Sequence, residues 1–123
     1  DALPILRRGR PLYYLPDMDY GRRNAIFVPF FGVPAATVPG VSRLARLTGA
    51  RVVPCLARML PAGAGYVAEI GAPWEDFPGE NVEADTLRVN RYIERCVLEI
   101  PEQYYWVHKR FKTRPPGAPR VYD

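Results

Sequence analysis

Proline is the residue that most restricts how this chain can fold. Fourteen of the 123 residues are proline. Proline lacks a backbone N–H donor, so it interrupts helices and is confined to the edges of sheets. We therefore predict short elements joined by long ordered loops. Apolar residues make up 48% of the chain, which suits one domain, or one part of a domain, with a modest core.

Strand-type and helix-type patterns alternate along the chain, and this predicts an α/β sandwich with a mixed sheet flanked by helices. The clearest helix covers 82–100, where apolar residues recur on one face. Three further helices are predicted. One ends at Gly9, one begins with Thr37 as its N-cap, and one begins at Pro101. We predict strands over four stretches, of which the last two form a hairpin: 11–15, 25–31, 51–60 and 66–70.

An acidic loop, residues 16–24, lies at the centre of this pattern. Asp17 and Asp19 are separated by one residue, and Arg22 and Arg23 follow at once. Pro, Asp and Gly form turns for backbone reasons alone, so a simple turn explains the composition. A site that holds a polar head group beside the apolar run 27–34 explains it as well.

Metal and histidine chemistry find little support in the sequence. His108 is the only histidine, and a histidine base with an orienting acid five residues later would need an acid where Thr113 stands. Cys55 and Cys96 lack the CxxC spacing and are predicted to be reduced thiols. We expect no metal site.

The formal net charge of +4 favours acidic partners, whether phospholipid surfaces, phosphorylated sugars or nucleic acid. Cations and aromatic residues are concentrated over 104–114, which we call the basic segment. It could stack on bases, as in a small basic nucleic-acid-binding domain. It could also place aromatic rings at a lipid interface, or it could be an ordinary solvated helix face.

Several blocks resemble one family. These are Asp-x-Asp-Tyr-Gly at 17–21, Phe-Phe-Gly-Val-Pro at 30–34, and the long block 101–115, supported by 43–49 and 52–54. Together they resemble the lipid A biosynthesis (lauroyl/myristoyl) acyltransferases, within the wider lysophospholipid and glycerol-phosphate acyltransferase-like superfamily. The resemblance runs in order over nearly the whole chain. It implies that 1–123 form the C-terminal portion of a single acyltransferase domain.

The resemblance implies transfer of a fatty acyl chain from acyl carrier protein to a hydroxyl of a Kdo-bearing lipid A precursor, in lipopolysaccharide assembly. It places the reaction at the cytoplasmic face of the bacterial inner membrane and implies neither a cofactor nor a nucleic-acid partner. The family's general base is a histidine with an acid five residues later. The resemblance places that motif and a membrane anchor upstream of Asp1. We therefore do not expect this chain alone to turn over substrate.

Residue by residue, Asp17 matches a functionally important acid of the family, and we expect it to orient the catalytic centre or the sugar head group. Asp19 matches its neighbour and is predicted to bind substrate. Met18 stands where relatives often carry a polar residue, which puts a direct role at that position in doubt. Charge matching to a polyanionic lipid predicts phosphate or carboxylate contacts for four basic residues: Arg22, Arg23, Lys109 and Arg110.

Overall fold

The computed structural model describes residues 2–123, and its mixture of helices and strands confirms the predicted α/β class. The elements, in chain order, are α1 (Ala2–Arg7), β1 (Ile26–Phe30), β2 (Val33–Thr37), α2 (Gly40–Thr48), β3 (Cys55–Met59), β4 (Tyr66–Ile70) and α3 (Val82–Glu99). The strands form two separate antiparallel pairs, β1 with β2 and β3 with β4.

The first hairpin joins β1 to β2 through Phe31 and Gly32. Both residues have positive φ, 49° and 74°, which is the backbone that a tight two-residue hairpin turn requires. Phe30 pairs with Val33 next to the turn. The strand predicted over 25–31 is confirmed. The helix predicted from Thr37 is wrong in its start, because Thr37 pairs with Ile26 at the end of β2 and α2 begins only at Gly40.

The core lies where α3 crosses β1. Val28 and Phe30 of β1 and Val89 and Val97 of α3 are all buried, so the predicted apolar face of this helix is its packing face. Asn90 is also fully buried, and its side-chain amide donates to the carbonyl of Pro29. This bond satisfies the Nδ2 donor, which would otherwise cost about 1–3 kcal/mol, whereas the buried Oδ1 of the same side chain has no hydrogen-bond partner among the described residues.

A polar cluster holds α2 against α3. The buried carboxylate of Asp85 accepts hydrogen bonds from the Ser42 hydroxyl at 2.6 Å, the Gly79 amide at 2.7 Å and the Arg46 guanidinium at 2.8 Å. Burial by itself would raise the pKa of Asp85, but these donors outweigh it and the pKa is lowered. The cluster explains how a charged residue is tolerated between two helices.

The hairpin predicted for 51–60 and 66–70 is confirmed as β3 and β4, with Cys55 opposite Ile70. The side chain of Gln103 joins this hairpin to the chain after α3, because it bonds both the amide and the carbonyl of Met59. Both cysteines are free, Cys55 on the surface and Cys96 half-buried.

Two predicted elements are wrong. Residues 11–15 run as irregular chain, and the helix predicted from Pro101 is limited to a single 3-10 turn, Pro101–Gln103. Tyr104 has extended backbone angles, and the side chains beyond it bond to distant segments described below. Tertiary contacts thus override the local helical pattern in the basic segment.

Candidate functional site

The two carboxylates of the acidic loop have different surroundings. Asp19 is 2% exposed, whereas Asp17 is half-buried and lines a large cleft. Pro16 and Gly21 bound the loop, and Gly21 has a φ of 86° that favours glycine. The short loop therefore directs one acid into the interior and leaves the other at a cleft.

Asp19 joins the acidic loop to the C-terminal part of the basic segment. One carboxylate oxygen accepts the amide of Gly21 at 2.8 Å and the other accepts the amide of Thr113 at 2.9 Å. Its own backbone N–H donates to Nε2 of His108 at 2.8 Å. Asp19 was predicted to bind substrate, and that role stays a prediction. In the structure, both carboxylate oxygens are bonded within the chain.

His108 serves as an acceptor in this arrangement. Because Nε2 accepts a hydrogen bond, that nitrogen has no proton and the ring is neutral. Burial lowers the pKa of His108, and the charges of Lys112 and Arg110 lower it further. With Nε2 already occupied, His108 offers no free lone pair to take a proton from a substrate.

We expect this neutral histidine to make the protein's stability depend on pH. The folded pKa lies below the usual value of about 6.5, so the unfolded chain binds more protons between the two values. The stabilisation is therefore fully present above about pH 6.5 and is lost as the pH falls through the lowered folded pKa. The melting temperatures of the wild type and of His108→Gln should approach each other as the pH is lowered through this range. A difference in melting temperature that stays constant across this range would contradict a stabilising role for neutral His108.

Asp17 faces Tyr104 across the edge of the cleft. Burial raises the pKa of the Tyr104 phenol, and the negative charge of Asp17 raises it further. The ring of Tyr104 is fixed by Trp106 at 4.9 Å and Phe30 at 6.1 Å between centroids. The result is a carboxylate and a phenol close together in the lining of a mostly apolar cleft.

The cleft has a volume of about 410 Å³. Apolar side chains from α2, the segment before β3, β3 itself and α3 form most of its surface, among them Val41, Leu44, Val52, Leu56, Val89 and Ile93. Asp17 and Arg51 are the charged residues of its lining. A concave apolar surface with a few polar groups is typical of small-molecule sites, which measure about 300–1,000 Å³.

Arg110 lies in the interior and is 2% exposed. Its guanidinium donates to the carbonyl of Ala36 at 2.8 Å and to the hydroxyl of Thr37 at 2.7 Å, and it stacks over Phe30. Burial lowers the pKa of Arg110, while the charges of Tyr104, Asp17 and Asp19 oppose that change. These contacts connect the basic segment to β2. The substrate contact predicted for Arg110 stays a prediction.

The other three predicted basic residues are exposed. Arg22 donates to the carbonyl of Arg114 at 3.0 Å, and Lys109 lies over the ring of Tyr122 at 5.7 Å. Arg23 is exposed as well. The structure therefore brings Asp17 to the cleft, Asp19 and Arg110 into the interior, and Arg22, Arg23 and Lys109 to the surface.

Tyr104 and Arg51 are among the lining residues that sequence reasoning missed. Tyr104 was seen only as one aromatic residue of the basic segment, and its place beside Asp17 depends on contacts between distant parts of the chain. Arg51 is a single cation before an apolar run, and no spacing rule marks it. Within residues 2–123, no helix is long and apolar enough to cross a bilayer, and no three His, Cys, Asp or Glu side chains could hold a metal ion together.

The amino-acid sequence places the chain in an acyltransferase family. The model of the bacterial lipid A biosynthesis acyltransferases matches residues 1–113, and the chain belongs to that family. The resemblance identified from the 17–21, 30–34 and 101–115 blocks is thereby confirmed.

Curated relatives agree with this assignment. The chain is 43% identical over 121 residues to the lipid A biosynthesis lauroyltransferase of Escherichia coli (strain K12), covering 98% of this chain and 40% of the relative. It is 37% identical to the palmitoleoyltransferase of the same strain, covering 95% and 38%. It is 35% identical to the myristoyltransferase, covering 95% and 36%. The chain thus spans about two fifths of the length of the curated relatives that it matches.

Proposed function

We propose that this protein forms one wall of the lipid-handling cleft of an acyltransferase in lipid A biosynthesis. The donor would be a fatty acyl thioester of acyl carrier protein, and the acceptor a hydroxyl of a Kdo-bearing lipid A precursor. The reaction would take place at the cytoplasmic face of the bacterial inner membrane. The observation that carries the proposal is the mostly apolar cleft of about 410 Å³ with Asp17 and Tyr104 in its lining.

The chemistry of the cleft suits an acyl chain. Each buried methylene contributes about 0.8 kcal/mol, so the apolar walls can hold a long chain without specific polar contacts. In the transfer step, the acceptor oxygen bonds to the thioester carbonyl carbon, the carbon–sulfur bond breaks and the thiolate leaves. The acceptor hydroxyl gives its proton to a general base. Because Nε2 of His108 is occupied, we propose that the base comes from outside residues 2–123.

Asp17 would act as a positioning residue at this centre. Its carboxylate lies at the apolar opening beside Tyr104, where it can accept a hydrogen bond from a sugar hydroxyl or orient a protonated base. Arg51, which also lines the cleft, can pair with a phosphate or carboxylate of the acceptor. Arg22, Arg23 and Lys109 are exposed and available for the same kind of contact.

Filling the cleft tests the proposal. Ile93 lines the cleft on α3, whereas Leu98 on the same helix is exposed to solvent. In a full-length family member that carries this segment, Ile93→Trp should lower transfer of the preferred acyl chain by about tenfold or more, because the larger ring occupies the space of several methylenes. Shorter acyl donors should be less affected. The measurement is product formation by mass spectrometry with a series of acyl donors.

Leu98→Trp is the matched control, since it adds the same ring outside the cleft. It should leave both the rate and the chain-length preference unchanged. Equal effects of the two variants on transfer would contradict a role for this cleft in holding the acyl chain. So would an Ile93→Trp enzyme that has the wild-type melting temperature, transfer rate and chain-length preference.

A further inference from the structure

Three consecutive apolar side chains of the basic segment are exposed to solvent. Tyr105, Trp106 and Val107 are 64%, 56% and 80% exposed, and we call them the exposed tip. Single exposed apolar residues are common on protein surfaces. A contiguous group of them indicates an interaction site.

The exposed tip is held rigidly by the core. The indole N–H of Trp106 donates to the carbonyl of Pro101 at 2.6 Å, and the ring packs edge-on against Tyr104. Tyr104 in turn packs against Phe30, which is fully buried. A surface that is ordered before it binds loses little conformational entropy on binding.

Cations follow the exposed tip in the basic segment. Lys109 comes two residues after it and Lys112 five residues after it, and both are exposed, while Glu102 is an exposed acid that precedes it. The bonds from Asp19 to His108 and Thr113 hold the acidic loop next to this segment. That loop carries the exposed cations Arg22 and Arg23 and the exposed ring of Tyr20, and the Arg22 guanidinium donates to the carbonyl of Arg114.

We propose that the exposed tip and its surrounding cations form a contact surface for an anionic lipid bilayer. Aromatic side chains favour the headgroup level of a membrane, where one end is apolar and the other is hydrated. Basic residues next to them are attracted to anionic lipids. The inference deepens the proposed function and rests on it, because a lipid acceptor is reached from the membrane surface. It assigns that contact to particular residues.

The same surface is poorly suited to single-stranded nucleic acid. Base stacking needs a series of free aromatic faces along a basic groove. Here Tyr104 and Phe111 pack against Phe30, and Arg110 is buried. What remains exposed is a short apolar projection with cations around it.

Fluorescence of Trp106 tests the surface directly. The chain has two tryptophans, so Trp74→Phe leaves Trp106 as the only indole while keeping an aromatic ring in its packing with Tyr92. This variant of the 123-residue chain, checked for folding by circular dichroism, is mixed with vesicles of phosphatidylglycerol and phosphatidylethanolamine. Emission should shift to the blue, and brominated lipid should quench it. Phosphatidylcholine vesicles should give a much smaller change.

Further substitutions in the Trp74→Phe variant separate the contribution of the apolar tip to vesicle binding from that of the cations. Val107→Glu should lower the vesicle partition coefficient by about tenfold, since a valine that enters the bilayer on binding is replaced by a charge. Lys109→Glu combined with Lys112→Glu should lower it by about tenfold or more on anionic vesicles. Ile70→Glu is the control: Ile70 is 74% exposed but lies on β4, and partitioning should not change.

Unshifted and unquenched Trp106 emission would overturn the proposal, as would equal losses for Val107→Glu and Ile70→Glu. Tight binding to a single-stranded oligonucleotide without vesicle binding would overturn it in favour of nucleic acid. Turnover is assayed separately, in the full-length enzyme with detergent-dispersed acceptor. Absent transfer with intact vesicle binding would count against the proposed function and leave the surface in place.

Discussion

Asp17→Asn in a full-length enzyme that carries this segment is expected to lower acyl transfer by about tenfold or more, without lowering the melting temperature. Asparagine preserves the shape of the side chain and removes its charge. A group that orients a base or an acceptor in the transition state contributes at least this much, since tenfold corresponds to about 1.4 kcal/mol of barrier. Asp17 is half-buried at the cleft, so its exchange should not open the core.

The measurement is kcat/KM for formation of the acylated lipid, followed by mass spectrometry, together with a thermal melt. Glu80→Gln is the matched control, because Glu80 is an exposed acid that does not line the cleft. Wild-type turnover by Asp17→Asn would remove the role assigned to this carboxylate. A large fall in melting temperature would show that it is structural.

Asp19→Ala is expected to lower the stability of the fold, in contrast to Asp17→Asn, which is expected to lower only the rate of transfer. Truncation leaves the part-buried amides of Gly21 and Thr113 without their acceptor, and an unpaired buried donor costs about 1–3 kcal/mol. We expect the free energy of unfolding to fall by about 3 kcal/mol, which lowers the melting temperature by about 10 °C for a chain of this size.

Urea unfolding of the 123-residue chain measures this loss directly. Asp19→Asn keeps one acceptor oxygen and should lose less than Asp19→Ala. The exposed acid Glu80 again provides the control, as Glu80→Gln. An Asp19→Ala protein as stable as the wild type would mean that the two amides find other partners. The link between the acidic loop and the basic segment would then be dispensable.

Local sequence patterns were sufficient where an element is defined by its own side chains. The apolar face of α3 and the hairpin of β3 and β4 were predicted, with nearly correct bounds for α3 and β4, whereas β3 begins at Cys55 and not at residue 51. β2 was missed because Val33–Thr37 is a strand only through its pairing with β1, and the threonine at its end also fits a helix N-cap. Whether these residues form a strand is decided by the pairing with β1 and not by their own sequence.

The site was harder to predict because its parts are far apart in the chain. Asp17 and Asp19 look alike in sequence, and what separates them is bonding across 89 and 94 positions, to His108 and Thr113. The same holds for the basic segment. Charge alone predicted the same role for Arg110 and Lys109. In the tertiary structure Arg110 is buried and Lys109 is exposed. Sequence located the important segments, and long-range contacts divided their residues between packing and surface.

The most direct test of the lipid-handling cleft is photolabelling with an acyl donor that carries a diazirine near the methyl end of its chain. The full-length enzyme is irradiated in the presence of this donor, digested and analysed by mass spectrometry. The account predicts label on peptides that contain residues 52–57 or 89–97, which line the cleft. Label that avoids both segments, and appears instead on the β1–β2 hairpin or outside residues 2–123, would contradict it.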